Sequence, residues 1–426
     1  MKGIIFCGAA AMLSLPAFSE TDFQLHSFVD YYGEIEPETE YETLRNRYYI
    51  QPELKTDLPQ GLDANISANL WYQTANDDQW IEAENILREA SISKSFDSFD
   101  LSIGQKFVGL GFSDAFGPLN VVNGSDKTIL SLDDGYDGKR ADFMVKLDFY
   151  PTFEDEINLI YIPFPRPDYE PKGVVNLSSD SLDVNLDYNQ PAYLTDDAQS
   201  IYLNYLHYGM SMDVELLYAY YVDRNPGFDL SELTVSAGTL TGNADVEYGR
   251  NHLFGAAVSL PLGPFVLSED VAFNLTEDFA GEDLGVKNSY LTANTQLSGT
   301  FFNSYTQLMS IFRYTFNYDE NEQFSSAIDD DLSTEILEYH IQQYEYILFH
   351  ILHVHRSLLR EKLYLSANLG FFYSSRFYVA PRARYSLSDN LSVEIGADIW
   401  TANGTSNDLT GSDDADNFYI RAAYSY

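Results

Sequence analysis

Strict alternation of apolar and polar residues, in runs of about ten, organises this chain. From Asp63 to Gln73, the residues Ala64, Ile66, Ala68, Leu70 and Tyr72 form one row. Asp63, Asn65, Ser67, Asn69 and Gln73 form the other, with Trp71 the one large residue on the polar side. The pattern recurs from Arg140 to Tyr150, where Ala141, Phe143, Val145, Leu147 and Phe149 oppose Asp142, Met144, Lys146 and Asp148. It recurs again from Leu391 to Ile399, where Leu391, Val393, Ile395, Ala397 and Ile399 oppose Ser392, Glu394, Gly396 and Asp398. A period of two puts one row on each face of a β-strand. One face then suits lipid and the other water, and each run has roughly the 9–11 residues that a tilted strand needs to cross a bilayer.

The connections alternate as well. Short polar turns are expected at Pro59-Gln60-Gly61, Asp97-Ser98, Pro151 to Asp155, Tyr208-Gly209, Pro261 to Pro264, Ser298 to Phe302 and Ser388-Asp389-Asn390. Between them run longer acidic stretches: Gly33 to Glu40, Thr74 to Glu84, Val108 to Lys139, Pro163 to Gln199, Asp223 to Tyr248, Glu277 to Val286, Asn317 to Glu335 and Ala402 to Asp416. Short periplasmic turns and long outer loops are the plan of bacterial outer-membrane barrels. The count comes to about 18 antiparallel strands (range about 16–18), an even number that brings both ends of the chain to the periplasmic side. Leu337 to Arg360 fits this count least well: its alternation changes phase near Gln342-Gln343, which suggests a bulge, and the next link, Ser374-Ser375, is short.

Periodicity alone does not separate a membrane barrel from a soluble sandwich. Matched strand lengths and loop asymmetry, combined with a secretory signal and an aromatic terminus, favour the membrane barrel. Met1-Lys2-Gly3, the apolar run Ile4 to Leu15 and the small residues around Ala17-Phe18-Ser19 read as a secretory signal over 1–19, leaving 20–426 as a single outer-membrane β-barrel. The last run alternates Phe418, Ile420, Ala422, Tyr424 and Tyr426 with Tyr419, Arg421, Ala423 and Ser425. Phe418, Tyr424 and Tyr426 thus form an aromatic ending that resembles the signal read by the outer-membrane assembly machinery, an expected partner along with outer-membrane lipid. Beyond the signal no apolar run approaches the ~18 residues of a membrane helix. A sheet in lipid must therefore close, because each unpaired edge group would cost several kcal/mol, roughly.

Composition sharpens this picture. The 33 Tyr and 28 Phe gather toward strand ends, as in the aromatic girdles of membrane barrels. The formal charge of −41 makes nucleic acid a poor partner, and loss of Lys2 with the signal makes it one unit more negative. The single Cys, Cys7, lies in the signal, so disulfides, thiol nucleophiles and thiolate metal sites are excluded from the processed chain. A phosphate-binding Gly loop, a Gly-x-Ser-x-Gly elbow and a His-Glu-x-x-His helix are absent, and neither enzymatic activity nor a cofactor is expected. Asp329-Asp330-Asp331 and Asp413 to Asn417 lack the ligand spacing of a calcium loop. In His350-Ile351-Leu352-His353-Val354-His355 only His353 and His355 share a strand face and no carboxylate is near, so rim histidines are expected and no metal site.

One segment carries a family resemblance. Leu87-Arg88-Glu89-Ala90, Leu101 to Lys106, Gly109-Leu110-Gly111, Asp114 and Pro118-Leu119-Asn120-Val121-Val122-Asn123 together resemble a segment of a poorly characterised family of proteobacterial porin-like barrels, similar to the alginate-export porins. The chain departs from that pattern in the order Gln105-Lys106, at Leu110 in place of Trp, at Asn120 in place of Asp and at Gly124 in place of Pro. The likeness covers about a tenth of the chain; it implies a porin-like fold and no particular substrate.

A barrel of this width leaves a lumen unless a loop folds in. Residues 108–139 and 163–199 are the candidate lumen-folding loops; the first carries Phe112, Phe116, Leu119, Val121, Val122, Ile129 and Leu130. On the polar rows, Arg45, Arg47, Arg382, Arg384 and Arg421 belong to strands that closure brings together, with Glu394 and Asp398 on the strand between two of them; Lys106 and Lys146 are further pore-lining candidates. Arginines facing acids across a pore would orient polar solutes, while paired charges along the wall would only solvate it. The expected function is a passive outer-membrane pore for small polar solutes or cations. A non-conducting surface anchor, adhesin or receptor working through long loops is the alternative. A homotrimer is compatible with either, and no stretch marks an interface.

Overall fold

A computed structural model describes residues 21–34, 43–74, 78–81, 83–113, 117–125, 139–168, 182–189, 198–224, 227–229, 234–236, 239–281, 286–318, 345–372, 376–401 and 417–426. The signal over 1–19, the Gln342-Gln343 bulge, both acidic runs, and Phe116, Ile129 and Leu130 lie outside the described residues.

Eighteen antiparallel strands close into one barrel. In chain order they are β1 (Thr21–Glu34), β2 (Thr43–Leu58), β3 (Leu62–Ala68, resuming as Leu70–Thr74), β4 (Leu87–Ser95), β5 (Phe99–Lys106), β6 (Asp142–Phe149), β7 (Asp155–Ile162), β8 (Ser200–Tyr208) and β9 (Asp213–Val222). They continue as β10 (Arg250–Leu262), β11 (Phe265–Thr276), β12 (Tyr290–Phe301), β13 (Ser304–Thr315), β14 (Tyr346–Leu358), β15 (Leu363–Phe372), β16 (Arg376–Ser386), β17 (Leu391–Thr401) and β18 (Asn417–Ser425). Each pairs with the next, and β18 pairs with β1 from His26↔Ser425 to Glu34↔Asn417, so the wall has no free edge. Tyr426 completes the seam by exchanging two backbone hydrogen bonds of 2.9 Å with Leu25.

The wall follows the pleat. Ile66, Ile92, Leu101, Ile103, Phe143, Leu159, Leu203, Leu216, Phe254, Ile395 and Ile420 are exposed on the outside, while the alternate positions Ser102, Asp142, Asn158, Asn204, Asp270, Asn294 and Arg421 are buried inside. The turns are tight at one rim. Phe302 and Asn303 both take positive φ to turn β12 into β13 in two residues, and Leu359, Arg360 and Glu361 do so between β14 and β15.

Three sequence expectations need adjusting. Lys139–Arg140 does not begin a wall strand but pairs with Gly124–Ser125, and the wall resumes at Asp142 because Asp142 turns inward to accept from the Arg166 backbone. The stretch read as a loop from Asp223 to Tyr248 contains strands: Thr239–Glu247 pairs in parallel with Leu182–Asn189 and antiparallel with Gly227–Asp229 and Thr234–Ser236, a small sheet separate from the wall. The expected loop from Thr74 to Glu84 likewise begins by prolonging the wall, since Asp78–Trp80 pairs back onto Tyr72–Thr74. Loops that long gain by satisfying their own backbone groups locally.

Candidate functional site

The segment leaving β5 turns into the barrel. Leu119 and Val122 are fully buried and Leu110 nearly so, packed with Met144, Ile160, Ile162, Tyr202, Leu217, Ala219, Tyr221, Leu253, Ala257 and Ala272, with Val108, Phe112 and Val121 around them. All ten wall residues lie on inward rows of β6 to β11, positions where a water-filled barrel would otherwise show polar side chains. A nonpolar patch on an inner wall is explained by what covers it.

Two carboxylates fix the segment's tip. Glu215 on β9 accepts from the Gly111 N–H at 2.9 Å; Asp270 on β11 accepts from Phe112 N at 3.1 Å and Ser113 N at 3.1 Å. Gly111 has φ +89°, and a Cβ there would press into Asp270 Oδ2, so the turn admits only glycine. The base of the segment is tied by Asn123, which accepts from Val108 N at 2.8 Å and donates to the Lys106 carbonyl at 3.1 Å. From β5 to β11 is six steps around the ring, roughly 29 Å of wall at the usual strand spacing.

Beside this segment lies a charged knot. Arg224, just beyond β9, donates to the Val122 carbonyl at 2.6 Å and pairs with Asp142 at 3.1 Å. Burial by itself would lower the Arg224 pKa, but Asp142 and Tyr202 outweigh it and hold the guanidinium above its ordinary value. Asp223 takes Lys287 at 2.9 Å and Asn251 at 3.2 Å.

The predicted arginines gather where closure requires, with a different partnership. Arg421 reaches Asp30 at 3.2 Å, Arg384 reaches Glu394 at 3.0 Å and Arg382 lies 3.8 Å from Asp398. Tyr419 donates to Glu394 at 2.9 Å and Tyr378 to Asp398 at 2.5 Å. Arg47 donates to Gln73 Oε1 from Nε at 3.1 Å and Nη2 at 2.7 Å, with its guanidinium 4.9 Å from the Trp71 ring. Trp71, the odd residue of its polar row, is the surface on which that arginine stacks. The acids stand on neighbouring strands, not opposite, because cross-strand neighbours are the nearest partners a side chain on a barrel wall can reach. Lys146 pairs with Asp148 along its own strand, and Lys106 donates to Ser102 Oγ at 3.3 Å. The Arg45 side chain lies outside the described residues. Phe418 packs 6.0 Å from Tyr31 across the seam, while Tyr424 and Tyr426 are exposed.

The sequence reading missed Glu215, Asp270, Arg224 and Asp142 as a set. The available signal was a carboxylate at the centre of a strand row whose neighbours Leu217 and Ala272 are apolar, a conflict of face that only a covering segment resolves. Among the described residues no group of three or more His, Cys, Asp or Glu could hold a metal ion.

No protein-family model matches the chain, and no curated protein matches it. Solved structures do. OccK5 (OpdH) of Pseudomonas aeruginosa aligns over 96% of this chain and 98% of its own at 10% identity and TM-score 0.53. A BenF-like porin from Pseudomonas fluorescens Pf-5 aligns over 96% and 98% at 8% identity and TM-score 0.54. OccAB3 of Acinetobacter baumannii aligns over 96% and 99% at 8% identity and TM-score 0.52. The fold is that of outer-membrane porins. At these identities the likeness carries the barrel and not its cargo, and similarity to alginate-export porins is not shown by it.

Proposed function

We propose that the chain forms a passive channel of the outer membrane for small polar solutes or cations, narrowed by residues 107–113 and 117–125. The observation behind this reading is the pairing of an apolar seat with a carboxylate clasp on one side of the inner wall, which holds the segment across about a third of the ring. Such a segment sets the narrowest point, while the remaining arc keeps the paired Arg, Asp and Glu rows of β16 to β3 on the opposing wall. The strongly acidic composition favours cations at the mouth. The paired wall rows support solvation and alignment of polar solutes more than a transverse field.

The test is conductance of the refolded protein in planar bilayers, with the reversal potential read under a salt gradient. Stable single-channel steps with a cation-selective reversal potential are expected; anion preference would remove the cation part of the reading. The small sheet formed by Leu182–Asn189 and Thr239–Glu247 is the observation that favours the second reading, a barrel presenting a surface receptor. Absence of any conductance from correctly folded protein would select it.

A further inference from the structure

The structure brings two imidazoles together on the inner wall in a way the sequence pattern did not value. His353 and His355 of β14 face inward with the buried Ile351, and lie between β13 and β15. His353 Nδ1 is 2.7 Å from Asn368 Oδ1; in the tautomer with Nδ1–H donating to that oxygen, the Nε2 lone pair faces His355. That Nε2 lies 3.1 Å from Nδ1 of His355. In that tautomer the contact is an N–H···N hydrogen bond in which His355 Nδ1 donates.

We infer that His353 and His355 form a two-nitrogen chelate for a divalent transition-metal ion, Cu(II) before Ni(II) or Zn(II), on the wall of the lumen. Metal–imidazole bonds are roughly 2.0–2.1 Å long, so two nitrogens 3.1 Å apart subtend an angle of about 100° at a shared ion. That value lies between the square-planar and tetrahedral angles, and it is reached once a ring rotation aims both lone pairs at a common point. Protons balance without release: His355 moves its hydrogen from Nδ1 to Nε2 through lumen water, and His353 keeps its own on Nδ1. Asn368 then plays the outer-shell part that fixes a ligating histidine's tautomer and orientation.

The surroundings allow a bound cation. His355 stacks on Tyr305 at 4.8 Å and approaches Tyr364 at 5.1 Å. Arg384, above Tyr364, is neutralised by Glu394 at 3.0 Å, and Arg382, in the row of His355 and Ser366, lies 3.8 Å from Asp398. With only two protein ligands the ion keeps water or takes donors from a solute, and two imidazoles without carboxylate select against Ca²⁺ and Mg²⁺. Binding of this kind is weak enough to release, as a site along a channel must.

The experiment is a Cu(II) titration of the untagged full barrel in detergent, read by calorimetry and electron paramagnetic resonance. Expected is one equivalent with a two-nitrogen signature, lost in His353→Gln and in His355→Gln and weakened about 10- to 100-fold in Asn368→Ala. His350→Gln should change nothing, because His350 faces the opposite way and bonds Ser310 at 2.8 Å. Heat-modifiable migration on gels checks that each variant is folded, and His355→Phe serves if a glutamine variant is not. Uptake that survives loss of both histidines, or no stoichiometric uptake by the natural chain, overturns the site. The site needs only an open path for access: a barrel that binds copper and conducts no ions keeps it while removing the channel reading.

Discussion

Arg421 on the last strand and Asp30 on the first meet at 3.2 Å across the seam that closes the barrel. Asp30 is 2% exposed, and the guanidinium also covers Phe28 at 4.7 Å and Tyr419 at 5.6 Å. A cation placed between two rings and an acid at the closing pair ties the two ends of the chain together by side chains as well as by backbone.

Replacing Arg421 by Leu leaves the Asp30 carboxylate buried without its cation, which costs on the order of 3 kcal/mol. Urea unfolding followed by tryptophan fluorescence should show that loss. The Arg421→Leu/Asp30→Leu double variant should regain most of it, and a double variant as weak as the single one would mean the pair is not coupled.

Gly111→Ala forces a side chain against Asp270 at a backbone angle that disfavours it. The expected outcome is a displaced tip, so single-channel conductance rises while the barrel's unfolding midpoint moves little. An unchanged conductance would show that this segment does not set the narrowest point.

Leu119→Ala removes the larger of the two fully buried apolar anchors of the same segment and costs roughly 2–5 kcal/mol locally. Because the loss falls on the segment and not on the wall, open-channel current noise and proteolysis within 107–125 should increase. Global unfolding under the same conditions is the result that would contradict this division.

Glu269 stands on an outward row between Leu267 and Val271, in register with Thr295, and beyond it lie Ser310 and His350. A carboxylate facing hydrocarbon is unfavourable, so Glu269→Leu should stabilise the barrel in lipid by about 1 kcal/mol. Equilibrium unfolding from vesicles measures it, and a loss of stability would mean that this row is covered by something other than lipid.

Much of this protein is legible without coordinates. Alternation along Asp63 to Gln73, Arg140 to Tyr150 and Leu391 to Ile399 fixes which rows face lipid, because a period of two permits only two faces and hydrocarbon tolerates only one of them. The strand count and the seam of the first and last strands follow, since a sheet in lipid must close. Proximity of Arg47, Arg382, Arg384 and Arg421 could therefore be read from order alone. What the chain cannot carry in its local pattern is the partner each group finds in space. That Glu215 and Asp270 hold the amides of Gly111 to Ser113, that Arg382, Arg384 and Arg421 pair with acids beside them, and that two histidine nitrogens come within 3.1 Å depend on register and on the path of one inturned segment. The clasp and the seam pair join residues a hundred or more positions apart, and along the wall a shift of one residue would reverse every face.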